Sequence, residues 1–168
     1  MIINGIDPGL SGAACVFDAE TMKVLALLDM PTEAWGSKRH IDVKQLLGWT
    51  WKHRCDTCAL ERVQALPGMD ARGVRSRGMG AASAFRFGMC FGEVRGAMIA
   101  AGLSVVDVPP QVWKELFELN RRDKDEARLL AIKLHPEVAG ELKRKKDQGR
   151  AEAILIARWA ALNRWENR

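Results

Sequence analysis

The sequence predicts a mixed α/β sheet with helices packed on its faces. Three observations point there. Near the N-terminus, three apolar runs of strand length follow one another across short turns. Further strand-like runs then alternate with segments of helical period. After Pro109-Pro110 the chain keeps a helical period almost to its end.

Each element has its own signal. "IINGID" reads as a buried strand, and "GAACVFD" and "KVLALLDM" follow as the second and third strands of an antiparallel meander. "IDVKQLLGWTWKHR" repeats apolar residues at Ile41, Leu46, Leu47 and Trp51, which is helical spacing. "TCALER" is a short apolar run ending in an acid, and so a fourth strand. Residues 66–83 hold four glycines and three arginines with no apolar period, which predicts a long mobile loop of the kind that is functional or disordered. A helix is expected from about Ala84 to Ala101, then a fifth strand at "SVVDV". Helical segments follow around 111–119 and 124–134. The basic run "KRKKDQGR" leads into a last helix reaching about Trp165.

Bulk properties bound the function. The 168 residues suit one domain, 1–168, with a sizeable core. A net charge of +5 favours an anionic partner. No apolar run is long enough to span a membrane. A strand that starts at residue 2 leaves no room for a leader, so a cytoplasmic protein is expected. Cys55 and Cys58 form a CxxC without a second pair at zinc-ribbon spacing, and His53 is a third ligand only on paper. All four cysteines are read as small buried thiols.

Of 21 acids, four stand apart. Asp7 and Glu61 end apolar strands. Glu152 shares a helical face with Leu155, Ile156 and Trp159, where an unpaired carboxylate is costly. Asp147 sits just before that helix, where it fits a metal site or a helix N-cap. Converging hard oxygen ligands bind Mg²⁺ or Mn²⁺, and two such ions assist phosphodiester hydrolysis.

At these residues the chain resembles a family. "GIDPGLSGA", "ALERVQALPG", "FRFGMCFGEVRGAM", "VPPQVWK" and "LKRKKDQGRAEAILIA" occur in the order found in RuvC-type Holliday junction resolvases. The likeness is greatest to the phage, bacterial and plastid branch with a KKDxGRAEA motif. The resemblance implies an RNase H-like fold with a five-stranded mixed sheet flanked by helices. It implies a homodimer, two Mg²⁺ or Mn²⁺ ions per site, and symmetric cutting of opposed strands of a four-way DNA junction. It also implies a nucleoid-associated location, for a bacterial protein or a phage protein in its host. By resemblance Asp7, Glu61, Asp147 and Glu152 are the catalytic, metal-binding acids. Two positions depart from the pattern. Gln148 stands where the plastid branch commonly has His. Gly149 stands where bacterial members place an acid.

Basic residues supply a candidate DNA rim: Arg72, Arg75 and Arg77 in the glycine-rich loop, and Lys143, Arg144, Lys145 and Lys146 with Arg150 behind them. Lys114 and Lys124 match basic positions of the branch, and Arg121 and Arg122 adjoin the latter. Met69, Phe85 and Phe87 are candidates to wedge or stack at a junction centre, although packing of the helix start is the first reading of the two phenylalanines. Gly88, Gly92, Gly96 and Ala100 recur every four residues, which suggests close approach by another backbone. The sheet of the same chain is the first candidate, and the same helix of a second subunit the other. The alternatives to a junction resolvase are an RNase H-like nuclease on other branched DNA or RNA–DNA hybrids, and a junction-binding protein without catalysis. An ATP-dependent phosphotransferase is disfavoured, since the chain is short for two lobes.

Overall fold

The computed structural model describes residues 1–63 and 80–163, apart from the side chain of Lys124. The strands are β1 (Ile2–Asp7), β2 (Ala13–Asp18), β3 (Lys23–Asp29), β4 (Thr32–Trp35), β5 (Lys38–Ile41), β6 (Thr57–Glu61) and β7 (Ser104–Val108). The helices are α1 (Val43–Lys52), α2 (Ala81–Ala100), α3 (Pro110–Leu116), α4 (Lys124–Leu134) and α5 (Gln148–Asn163). Two 3₁₀ turns, Pro136–Glu141 and Lys145–Asp147, link α4 to α5. The main sheet has the order β3-β2-β1-β6-β7. The first three strands form the expected antiparallel meander, while β1, β6 and β7 run parallel.

Side-chain parity sorts the core into two halves. Ile3, Ala13, Cys15, Phe17 and Ala59 face α4, α5 and the fully buried Trp113. Ile6, Ala14, Cys58 and Leu60 face the other way, toward Leu46 of α1 and Cys90, Val94 and Met98 of α2. Period-2 alternation thus supplies both faces of the sheet with apolar cover. Gly5 lies on the α5 face. A Cβ there would meet the Ala153 carbonyl oxygen at 2.5 Å and the Ala157 nitrogen at 2.7 Å. Its missing side chain lets α5 rest directly on β1. α5 is buried at Ala151 and at every residue from Ala153 to Ala157. The single apolar face expected from the sequence is therefore too narrow, because α4 covers the side that the sheet does not.

Four expectations need correction. A second, two-stranded sheet, β4-β5, occupies the segment after β3. It turns at Gly36, whose φ of 59° is left-handed. α1 then starts at Val43, capped by Asp42, which accepts from the Gln45 N–H at 2.9 Å. α2 begins at Ala81, inside the expected loop. The rest of that loop, 66–79, lies outside the described residues, as does the end of the last helix beyond Asn163. Finally, Gly88, Gly92 and Gly96 do not meet the sheet: among the described residues a Cβ on any of them would have nothing within 4 Å.

The two kinds of glycine respond oppositely to a methyl group. Gly5→Ala should cost about 3 kcal/mol or more, because the opposing atoms are helix backbone that cannot swing aside. Gly48→Ala, in open space on α1, should stabilise by up to about 1 kcal/mol. Urea denaturation of both variants measures this, and equal midpoints would contradict it.

Candidate active site

β1 and β6 are parallel neighbours, paired from Ile3–Thr57 to Ile6–Leu60. One residue further, each strand ends in an acid, Asp7 and Glu61. Both continue the parity that faces α5. Ligands of open α/β sheets bind outside the carboxyl ends of the strands, where these two acids stand. The first turns of α5 cross the same place and add Glu152. All three acids line one cleft of about 510 Å³ with Lys114, Lys145, Lys146, Gln148, Ser11 and Phe87.

The acids oppose one another electrostatically. Burial pushes the Asp7 carboxyl up to about 7, helped by the negative charges of Glu61 and Glu152. The Gly9 N–H, donating to Asp7 Oδ1 at 3.1 Å, and Lys114 only partly offset this. Burial, then Glu152, also raises Glu61, against the opposing pull of Trp113 and Lys114. A cation in the cleft would relieve both strains. Hard carboxylate oxygens at a polar, open site fit a small divalent ion. Among the described residues no three acids, histidines or cysteines form a ready-made cage. Mg²⁺ does not demand one. It keeps several waters and takes one or two carboxylates plus substrate phosphate oxygens.

Neighbouring groups fix the acids. The Trp113 Nε1–H donates to Glu61 Oε1 at 3.0 Å from a fully buried indole. The Gln148 amide donates to Glu152 Oε1 at 3.3 Å. Lys114 stands 5.0 Å from the centre of the Trp113 ring, so one turn of α3 serves both the acid and a cation. The β1–β2 turn and α5 nearly touch. A Cβ at Gly149 would meet the Ser11 carbonyl oxygen at 2.6 Å.

No family model matches the chain, and no curated protein matches it. Solved structures do. Thermus thermophilus RuvC in complex with a Holliday junction substrate superposes with a TM-score of 0.64 at 20% identity, covering 99% of this chain and 97% of that one. The fold is that of RuvC. A second T. thermophilus RuvC structure gives a TM-score of 0.56 at 19% identity, covering 98% of this chain and 96% of that one. The five-stranded mixed sheet flanked by helices, read from the sequence by resemblance, is thus the RuvC architecture.

On this RuvC frame the expected site residues separate. Asp7, Glu61 and Glu152 come together with Lys114, Lys145 and Lys146. Asp147 does not line their cleft. Its side chain is 4% exposed and accepts from Arg144 through the backbone N–H at 2.8 Å and the guanidinium at 2.7 Å. Those bonds hold its carboxyl below the usual range. It caps the 3₁₀ turn before α5 rather than α5 itself. Arg150 is also engaged, with Asp29 at 2.6 Å and Glu141 at 3.7 Å. Lys143 is exposed, and so are Arg121 and Arg122, the latter 3.8 Å from Glu126. Arg72, Arg75, Arg77 and Met69 lie outside the described residues, as does the Lys124 side chain. Sequence reasoning missed Trp113. The "VWK" motif was read for its lysine, and an indole reads as core unless its N–H is followed to a partner.

Asp7 ties stability to pH and metal. An acid at about 7 when folded, against an ordinary 3.8, binds its proton more tightly folded than unfolded. Its contribution to stability therefore falls as pH rises from about 4 to about 7. Asp7→Asn should lose that fall and be more stable than wild type at pH 8, by on the order of 2–4 kcal/mol. Mg²⁺ should raise the melting temperature of the wild type at pH 8 and leave Asp7→Asn unmoved. Calorimetry across pH checks both, and parallel profiles for the two proteins would contradict the assignment.

Proposed function

We propose that this chain is a divalent-metal-dependent endonuclease that resolves four-way DNA junctions by paired cuts. One observation carries the reading. Three mutually repelling acids and three lysines share an open cleft at the ends of parallel strands, on a fold also seen in a RuvC bound to a Holliday junction substrate. Asp7, Glu61 and Glu152 are the residues to hold Mg²⁺ or Mn²⁺. When bound, such ions supply an activated water and stabilise the leaving oxygen of a phosphodiester. Lys114, Lys145 and Lys146 hold the non-bridging oxygens of the phosphate. Trp113 keeps Glu61 aimed into the cleft, and Gln148 keeps Glu152 there. An amide does not titrate, so Gln148 orients and exchanges no proton. A binding protein without catalysis has no use for this acid set, which would only repel phosphate.

The dimer rests on two arguments. Symmetric resolution needs two active sites facing one junction, and the described residues hold one such acid set. Gly88, Gly92 and Gly96 also form an exposed stripe on α2, continued by Ile99, which is 48% exposed. Each such glycine costs about 1 kcal/mol of helix stability against alanine, and among the described residues no contact offsets it. A second copy of α2 packed along that stripe would.

The deciding experiment incubates the protein with labelled four-way, three-way, duplex and hybrid substrates in Mg²⁺, Mn²⁺ or EDTA. Paired, symmetric, ligatable cuts confined to the four-way substrate and abolished by EDTA are expected. Preferential cutting of the hybrid would replace this reading with that of a ribonuclease. Asp7→Asn, Glu61→Gln and Glu152→Gln should each lower cleavage by more than about 100-fold and keep junction binding, while Trp113→Phe should cost about 10- to 100-fold. Asp147→Asn should lower stability and leave cleavage per folded molecule near wild type. Metal-dependent cleavage that survives in Glu61→Gln would remove Glu61 from the site.

Gly92→Leu tests the stripe. The variant should fold, as nothing among the described residues opposes the new side chain. Light scattering should show a monomer, and gels should show nicked junctions without paired cuts. A variant that stays dimeric would place the interface elsewhere.

A further inference from the structure

The β4–β5 hairpin takes no part in the main sheet, yet it stands beside the cleft opposite the first half of α2. Two hollows lie between them. One, of about 420 Å³, is lined by Gly9, Ser11, Arg39, Ser83, Arg86 and Phe87. The other, of about 370 Å³, is lined by Trp35, Lys38, His40, Phe85, Arg86 and Met89. Arg86 belongs to both. Gly9, Ser11 and Phe87 also line the acidic cleft, so the hollows continue it.

The hairpin's register explains this layout. Trp35 pairs with Lys38, and Ala34 with Arg39. Parity puts Lys38, Trp35 and His40 on one face of the ribbon and Arg39 on the other. Each face thus gives a cation to one hollow. Trp35 is 66% exposed, with its ring centre 4.3 Å from that of His40, and Phe85 across the hollow is 71% exposed. Among the described residues no carboxylate forms an ion pair with Lys38, Arg39 or Arg86. Arg39 is held toward Thr32 by a hydrogen bond. Two acids stand close by: Glu33 and Glu93 line an adjoining hollow that shares Trp35 and His40, and Glu93 lies 3.9 Å from the His40 ring. Aromatic rings left open to solvent between cations suit bases stacked beside a tracked phosphate backbone. A paired duplex arm would hide its base faces and leave the rings unused.

We propose that the groove between the β4–β5 hairpin and α2 binds an unpaired DNA strand that leaves the cleft past Gly9 and Ser11. Arg86, Arg39 and Lys38 hold its phosphates, and Trp35 and Phe85 stack its bases. This deepens the nuclease reading and rests on it for the strand's route, but the groove's affinity for single strands can be measured without cleavage.

The test uses the full chain in EDTA and a fluorescein-labelled single-stranded oligonucleotide, followed by polarisation across salt concentrations. Arg39→Ala with Arg86→Ala should weaken binding at least about 10-fold and reduce the salt slope by between one and two. Trp35→Ala should weaken it at least about 5-fold and leave the slope unchanged. Binding of a blunt duplex should change less than 2-fold in either variant. All three residues are surface groups, and melting curves show whether the variants remain folded. Unchanged single-strand affinity in both variants would overturn the groove, as would a wild type that does not bind single strands or an equal loss on duplex. The nuclease reading fails separately. If the wild type cuts no substrate with Mg²⁺ or Mn²⁺ while the variants still lose single-strand affinity, the groove stands and the proposed reaction does not.

Discussion

α5 lies against β1 with no side chain between them at Gly5, and it meets the β1–β2 turn just as closely at Gly149. Most of the candidate site depends on that double contact. It fixes how far α5 reaches over the ends of β1 and β6, and so where Glu152 stands relative to Asp7 and Glu61. It also explains why position 149 carries no acid. A carboxylate there would need a Cβ 2.6 Å from a backbone oxygen. The acid just upstream, Asp147, does not line the cleft and is held by Arg144, which anchors the turn that feeds α5. Two nearby acids thus have different surroundings, one held by Arg144 and one lining the cleft.

The same closeness creates the strain at the site. Three acids share a partly enclosed cleft, so burial and mutual repulsion raise Asp7 to about 7 and lift Glu61 as well. Such a cluster lowers the stability of the bare fold and raises its affinity for any cation that enters. The apolar layers on either face of the sheet must absorb that cost. They are fully buried just before the acids: Ile6, Ala59 and Leu60 are all inaccessible. The fixed hydrogen bonds from Trp113 and Gln148 keep Glu61 and Glu152 from swinging out to solvent to escape the repulsion.

Much of this was legible in the sequence, for definable reasons. Strand parity and short turns are local, so the meander and the acids at strand ends could be read directly. The cluster of Asp7, Glu61 and Glu152 followed from acids that interrupt apolar patterns. Trp113 was not legible as a partner of Glu61, because a buried indole leaves the same pattern whether or not its N–H is used. The hairpin was missed although Gly36-Ser37 is a two-residue turn. Its strands are only four residues long and mostly exposed, so no apolar alternation marks them. The engagement of Asp147 by Arg144 was hidden because an Asp three residues after an Arg fits a salt bridge, a cap and a metal ligand equally well.

The glycines make the limit of pattern reading concrete. Gly5 and Gly149 sit singly in the sequence and announce nothing, yet both are places where backbone meets backbone. Gly88, Gly92 and Gly96 announce a close contact by their four-residue period, yet among the described residues nothing stands within 4 Å of a Cβ built on them. A helix that carries three such residues in its exposed middle gives up stability that alanine would keep. The loss is offset only where a second surface takes the vacant face. The sheet is not the partner that the period suggests, since none of its atoms comes within 4 Å of a Cβ built at these positions.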